Sequence, residues 1–194
     1  MHAAKLQCRR RYILAAGVVA AVSAVQAKDH AAHALPTQPP SELSAVFAGV
    51  RLQGAGVKRF LGFSVYVARL WAGTEPVTER YDAHPFALEL LYARAFDGAA
   101  IARRSIEEMR RAGPIDDRQA ATWQATMSRA FPDVAPDDRL TGLHIPGEAS
   151  RFFHNGRPTS AVTDAAFARR FFGIWLANTS SDPPLRRQLL GLGS

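Results

Sequence analysis

From Val57 to Trp71 side chains alternate with a period of two. Arg59, Leu61, Phe63, Val65, Val67 and Arg69 share one parity, and Lys58, Phe60, Ser64 and Tyr66 share the other. Successive strand residues point to opposite faces, so the run predicts one long strand with a core face and an amphipathic face. Phe86 to Phe96 repeats the pattern, with Phe86, Leu88, Leu90, Tyr92, Arg94 and Phe96 on one side, and predicts a second strand. Gly54-Ala55-Gly56, just before the first run, reads as a hairpin turn. Without a third glycine opening a helix it does not make a nucleotide loop.

Helical spacing takes over after Asp97-Gly98. Ile101, Ala102, Ile106 and Met109 fall inward on a helix to about Ala112, Glu107 is placed to pair with Arg111 at i+4, and Gly113-Pro114 stops it. A second helix is expected from about Asp117 to Ala130, carried by Trp123, Met127 and Phe131 and ended by Pro132. Short strand pieces follow at Leu140 to Ile145 and Arg151 to His154, joined through Pro146-Gly147 and closed by the turn Asn155-Gly156. Asp164 then caps a helix bearing Phe167, Phe171 and Ile174, and Pro183-Pro184 starts a last helix through Leu190. Strands, helices, strands and helices in that order predict an α+β fold on an antiparallel sheet.

Residues 1–27 join a basic opening (Lys5, Arg9, Arg10, Arg11), an uncharged apolar stretch from Tyr12 to Val25, and the tripeptide Val25-Gln26-Ala27. That is the order of a cleaved signal peptide whose apolar stretch is too short to span a bilayer comfortably. Export to the periplasm with cleavage after Ala27 is therefore expected. Arg9-Arg10-Arg11-Tyr12-Ile13-Leu14 also resembles a twin-arginine signal, which leaves the Sec and Tat routes both open. Residues 28–40, with Pro36, Pro39 and Pro40, read as a flexible tether, and residues 41–194 as one domain. Cleavage removes Cys8, the only cysteine, and with it any disulfide, thiolate or cysteine-bound metal. Loss of the four basic residues lowers the formal charge from +7 to +3, so a nucleic-acid role loses its electrostatic support. No membrane span is expected in the mature chain.

No helical His-x-x-x-His, CxxC, phosphate-binding glycine pattern or Gly-x-Ser-x-Gly elbow occurs, so neither a metal nor a cofactor is expected. His84 lies in a loop, while His144 and His154 sit on strand pieces that are candidates for neighbours. A cationic group beside aromatics is more informative. Lys58 and Arg59 enter the strand bearing Tyr66, and Tyr92 and Arg94 lie on the apolar face of the next. A cation and a phenol at the rim of an apolar cavity suit a ligand with one anionic or enolate oxygen and a greasy body, because desolvation strengthens the pairing. The alternative is that these side chains snorkel at strand ends. Whether Lys58 or Arg59 faces a cleft depends on register, since a one-residue slip exchanges them.

The run Gly54-Ala55-Gly56-Val57-Lys58-Arg59-Phe60-Leu61-Gly62-Phe63-Ser64-Val65-Tyr66-Val67-Ala68-Arg69-Leu70-Trp71 resembles the glycine-turn-and-strand signature of the chalcone isomerase-like family. The resemblance continues through Phe86 to Met109, Phe131-Pro132-Asp133-Val134, Asp138-Arg139-Leu140, Phe153-His154-Asn155-Gly156 and Phe172-Gly173-Ile174-Trp175-Leu176, and covers nearly all of Ser41 to Gly191. It implies an open-faced β-sandwich, a large antiparallel sheet with helices layered on one face. The family holds plant enzymes that close chalcones into flavanones, fatty-acid-binding relatives without that activity, and exported bacterial members, so the fold carries over and the function does not.

In the plant enzymes an arginine after the glycine turn stabilises the attacking phenolate, helped by a threonine, a tyrosine, a lysine and an asparagine. By resemblance these positions are Lys58 (with Arg59 adjacent), Leu61, Ile101, Arg104 and Glu108. Lys58, Arg59 and Arg104 are thus the candidates for a catalytic cation. Leu61 and Ile101 cannot hydrogen-bond a ketone, so the electrostatic stabilisation of cyclisation is largely missing. The resemblance to the fatty-acid-binding relatives implies Lys58 or Arg59 with Tyr66 or Tyr92 on a carboxylate; Arg94 from the strand pattern joins these as a ligand-binding candidate, and Ile101, Phe60, Phe63, Leu90, Phe171 and Trp175 are the candidate apolar walls. The expected function is cofactor-free binding of a small amphipathic ligand, a fatty acid or aromatic carboxylate. An intramolecular lyase acting on another enone, and an envelope interaction module without a ligand, are the alternatives. N-terminal sequencing of the protein from a periplasmic fraction is expected to begin at Lys28.

Overall fold

The computed structural model describes residues 38–44 and 49–192. The described residues belong to one compact unit, Leu35–Ser194. The expected signal peptide (1–27) and most of the expected tether (28–37) lie outside the described residues.

Six strands of the compact unit pair in sequence order as one antiparallel sheet: β1 (Arg51–Phe60), β2 (Phe63–Ala72), β3 (Phe86–Tyr92), β4 (Arg139–His144), β5 (Ser150–His154) and β6 (Arg157–Val162). The helices are α1 (Ser41–Ser44), α2 (Gly98–Met109), α3 (Asp117–Ala130), α4 (Ala165–Leu176) and α5 (Pro183–Leu190). This is the α+β fold on an antiparallel sheet that the element order predicts, with the open face that the family resemblance implies. Asp116, Asp164 and Asp182 each accept a backbone N–H of the first turn of α3, α4 and α5, so three helix starts are fixed by one kind of cap.

The two sheet faces differ. Leu70, Phe86, Leu88, Leu90 and Phe152 form one core with buried residues of the helices, among them Ile106, Met127, Phe167 and Phe171. On the other face Glu89 is buried and accepts hydrogen bonds from Arg69 Nη1 and Trp71 Nε1, both at 2.8 Å. Leu43 of α1 packs there with Trp71, Ala87 and Leu143. Among the described residues no helix is long and apolar enough to cross a membrane.

Several elements depart from the sequence pattern. The run Val57 to Trp71 is a hairpin rather than one strand, with Leu61 and Gly62 as its two-residue turn at φ of 48° and 81°. Lys58 pairs with Tyr66 but Arg59 pairs with Ser64, so Val65 is a bulge residue and the face parity of β2 changes there. Gly54-Ala55-Gly56 is not a turn but the middle of β1. A Cβ at Gly54 would overlap the carbonyl oxygens of Gln188 and Leu189, and one at Gly56 the side chains of Leu185 and Gln188. Glycine is needed because α5 sits directly on the strand. β6 has no clean alternation and carries Pro158, which a sheet edge tolerates, and its pattern did not predict a strand. Glu107 pairs with Arg104 rather than Arg111, whose Nε donates to the Thr179 carbonyl at 3.3 Å.

Gly54→Ala is expected to push α5 off β1 and cost about 1–3 kcal/mol, the usual range for overpacking. A lowered urea midpoint at unchanged slope would register it.

Candidate functional site

Between the sheet and the helix layer lies a cavity of about 720 Å³, a size typical of small-molecule sites. Leu88, Leu90 and Tyr92 of β3, Phe152 of β5, Ile101 of α2, and Phe171 and Trp175 of α4 wall it. The bulge at Val65 brings Phe63, Val65 and Tyr66 to the cavity together, which regular alternation cannot do. Phe60, Leu61 and Phe63 line it and are exposed, so the β1–β2 turn marks its mouth.

Of the residues singled out in the sequence, Lys58, Tyr66, Tyr92, Arg94, Ile101 and Arg104 line this cavity. Arg59 does not; it is exposed at the end of β1, because Lys58 takes the inward position opposite Tyr66. Arg94 sits at the rim with its guanidinium carbon 4.6 Å from the centre of the Phe63 ring. Lys58 is already engaged, its Nζ 3.0 Å from Asp182 Oδ2. Arg104 bonds Glu107 at 2.9 Å and also Glu108. Among the described residues the histidines do not form a site. His144 packs on Phe86 and Phe172 while His154 approaches Asp138 Oδ2 at 3.4 Å, and burial lowers the pKa of His144. No cluster of three metal-ligating side chains occurs among the described residues.

The positions matched to the plant catalytic set, Lys58, Leu61, Ile101, Arg104 and Glu108, all line this one cavity. A family model described as chalcone isomerase-like matches residues 37–191. The chain belongs to the chalcone isomerase-like family. An uncharacterized protein of Haemophilus influenzae is 31% identical over 129 residues, a match spanning 66% of this chain and 62% of that protein. The chain thus covers less than two thirds of that relative's length. The crystal structure of an Arabidopsis thaliana fatty-acid binding protein is similar with a TM-score of 0.58 at 14% identity, over 79% of this chain and 90% of that one. At that identity the likeness is one of fold.

In this chalcone isomerase-like domain the polar groups lining the cavity include Arg94 at the rim, the hydroxyls of Ser105, Thr141, Ser180 and Ser181, and two further kinds. Lys58 with Asp182, and Arg104 with Glu108, are ion pairs whose charges offset each other. Tyr66 and Tyr92 are phenols, their rings 5.7 Å apart edge to face. Tyr66 accepts a hydrogen bond from Trp175 Nε1 at 3.0 Å and has no acceptor for its own proton among the described residues; the Tyr92 hydroxyl has no partner among them. Burial raises the pKa of both well above the ordinary tyrosine range, and at Tyr66 the indole donor opposes that only in part. Both are therefore neutral donors facing apolar space. Glu108 was matched to the plant asparagine, but its pairing with Arg104, the part of Asp182 and the indole of Trp175 as a polar partner come from the structure. Pro183-Pro184 marked the helix start, but nothing local tied the preceding Asp182 to a lysine 124 residues earlier.

Tyr66, Tyr81 and Tyr92 all have raised pKa values, with burial the first cause of each. Their contribution to stability is complete below the unfolded value of about 10 and is lost as pH climbs towards the folded values. In protein that starts at Lys28 and so lacks Tyr12, phenolate absorbance is expected to stay low until alkaline unfolding and then to appear cooperatively. A gradual rise near pH 10 in folded protein would contradict it.

Proposed function

We propose that the domain is a non-catalytic binding protein for a small amphipathic ligand of the fatty-acid kind, its apolar body in the cavity and its oxygen head at Tyr66 and Tyr92. The observation that carries this reading is a cavity of about 720 Å³ with aromatic walls and two neutral phenol protons that lack acceptors. An unmet donor in an apolar site favours a ligand that brings an acceptor. The sequence suggested a cation as the grip, but at Lys58 or Arg104 a carboxylate would have to displace Asp182 or Glu108, and Arg94, the lining cation without an ion-pair partner among the described residues, lies at the rim over Phe63. The phenols require no such exchange and accept a carboxylic acid, an ester or a ketone alike. The likeness in fold to a fatty-acid binding protein supports a ligand of this class. Residues 1–27 carry the pattern of an export signal, and on that ground we assign the domain to the periplasm.

Competition against a fluorescent fatty acid tests the reading, with palmitate and methyl palmitate as competitors. Both are expected to displace the probe with similar affinity at neutral pH, and Tyr92→Phe to weaken both about 2–10-fold, the worth of one hydrogen bond. Asp182→Ser keeps an N-cap oxygen while freeing Lys58, and is expected to shift preference towards the acid. Absence of displacement, or indifference to Tyr92→Phe, would overturn the proposal. Turnover of a 2′-hydroxychalcone would favour the intramolecular lyase instead.

A further inference from the structure

The tip of the β1–β2 hairpin holds three of the four exposed large hydrophobic side chains among the described residues: Phe60 at 65%, Leu61 at 81% and Phe63 at 58% exposure. Turn chemistry does not explain them. Two hairpins of this sheet close with the same backbone geometry, φ of 48° and 81° at Leu61-Gly62 and 49° and 81° at Asn155-Gly156. The second uses the pair that such a turn favours, because asparagine tolerates positive φ and glycine is indifferent to it. The first places a leucine in the left-handed region, where its Cβ crowds the backbone, and leaves the side chain in water. Neither local conformation nor core packing rewards Leu61. An apolar medium outside the protein would.

The charges around the tip say which medium. Arg59 is exposed and Arg94 lies over Phe63, and neither has an ion-pair partner among the described residues. Lys58 and Arg104, the other cations of the mouth, bring carboxylate partners of their own. Two unpaired guanidiniums beside an apolar tip complement an anionic bilayer, with arginine on lipid phosphate and the tip among the headgroups. A second copy of the chain fits less well. The three side chains expose on the order of 400 Å², about half of what each partner gives to a standard interface, and pairing two tips would crowd four arginines.

We propose that this tip, Phe60, Leu61 and Phe63 with Arg59 and Arg94, docks the domain on an anionic lipid surface. The cavity mouth then faces the bilayer, and an apolar ligand passes between lipid and cavity without crossing water. That consequence rests on the binding function proposed above, while the docking itself does not.

Co-sedimentation with vesicles tests it, using protein in the form its cell leaves it and variants sharing the same N-terminus. Vesicles contain phosphatidylglycerol with phosphatidylcholine, or phosphatidylcholine alone. Partition to the anionic vesicles is expected to exceed that to the neutral ones and to fall with salt. Leu61→Asn is expected to lower partition about tenfold or more while raising the urea midpoint, since asparagine relieves the left-handed strain, so the loss is not one of folding. Arg59→Glu, outside the cavity lining, is expected to lower partition to anionic vesicles about fivefold or more and to leave the affinity for a soluble fluorescent fatty acid in vesicle-free buffer unchanged. Equal partition of wild type and Leu61→Asn would overturn docking, as would self-association abolished by Leu61→Asn in protein that ignores vesicles. Vesicle binding without fatty-acid binding would overturn the binding function alone, and the reverse would overturn docking alone.

Discussion

At Gly54 and Gly56 the backbone of β1 lies so close to α5 that a Cβ at either position would overlap helix atoms, and the electrostatics of the cavity follow from that contact. Seated there, α5 begins at Asp182, level with Lys58. The Asp182 carboxylate then has two tasks: Oδ1 accepts the Leu185 N–H at 3.1 Å and caps the helix, and Oδ2 holds Lys58 Nζ at 3.0 Å. A helix start, a strand end and the charge state of the cavity are thereby joined through one side chain. Leu185, one turn into α5, adds an apolar surface to the same cavity. Had α5 been held further from the sheet, Lys58 would face the cavity with its charge unspent.

A second local event sets the other wall. The bulge at Val65 turns Phe63 to the side that Tyr66 already faces, and the Val65 carbonyl accepts the Ala93 N–H at 2.9 Å just beyond β3. Tyr66 then stands between the indole of Trp175 on α4 and the ring of Tyr92 on β3. Bulges commonly re-aim side chains beside sites, and here one gives a strand end that presents a phenol and two apolar side chains to one space.

Much of the fold was legible because the signals were local. Asp164 and Pro183-Pro184 announce helix starts, Asn155-Gly156 announces a hairpin, and the alternation Phe86 to Tyr92 places its strand on the correct face. The failures have a common cause in distance along the chain. Gly54 and Gly56 do not have positive φ, so nothing in their own conformation requires glycine; the requirement comes from a helix more than 120 residues later. Leu61-Gly62 was invisible as a turn because leucine is not a turn residue, although its dihedral angles match those of Asn155-Gly156. In the site, sequence supplied the aromatic walls, both tyrosines and the pair Lys58 and Arg59 without deciding which faces inward, but not the counter-charges. Asp182 and Glu108 reach the cavity only through tertiary structure and the turn of a helix, and they change what the cations can do.

That change bears on how far the family's chemistry extends to this chain. A cation stabilises charge developing on a substrate oxygen best when its own field is not already met by a fixed carboxylate. Lys58 and Arg104 occupy the matched positions but are met in that way, and Leu61 and Ile101 offer no donor where the plant enzymes have a hydroxyl and a phenol. The two phenols, half-buried Tyr66 and buried Tyr92, are neutral and suited to an acceptor that is present from the start rather than to charge that appears during a reaction. The same fold and the same cavity therefore present a different set of polar groups, and those groups argue for holding an oxygen over transforming one.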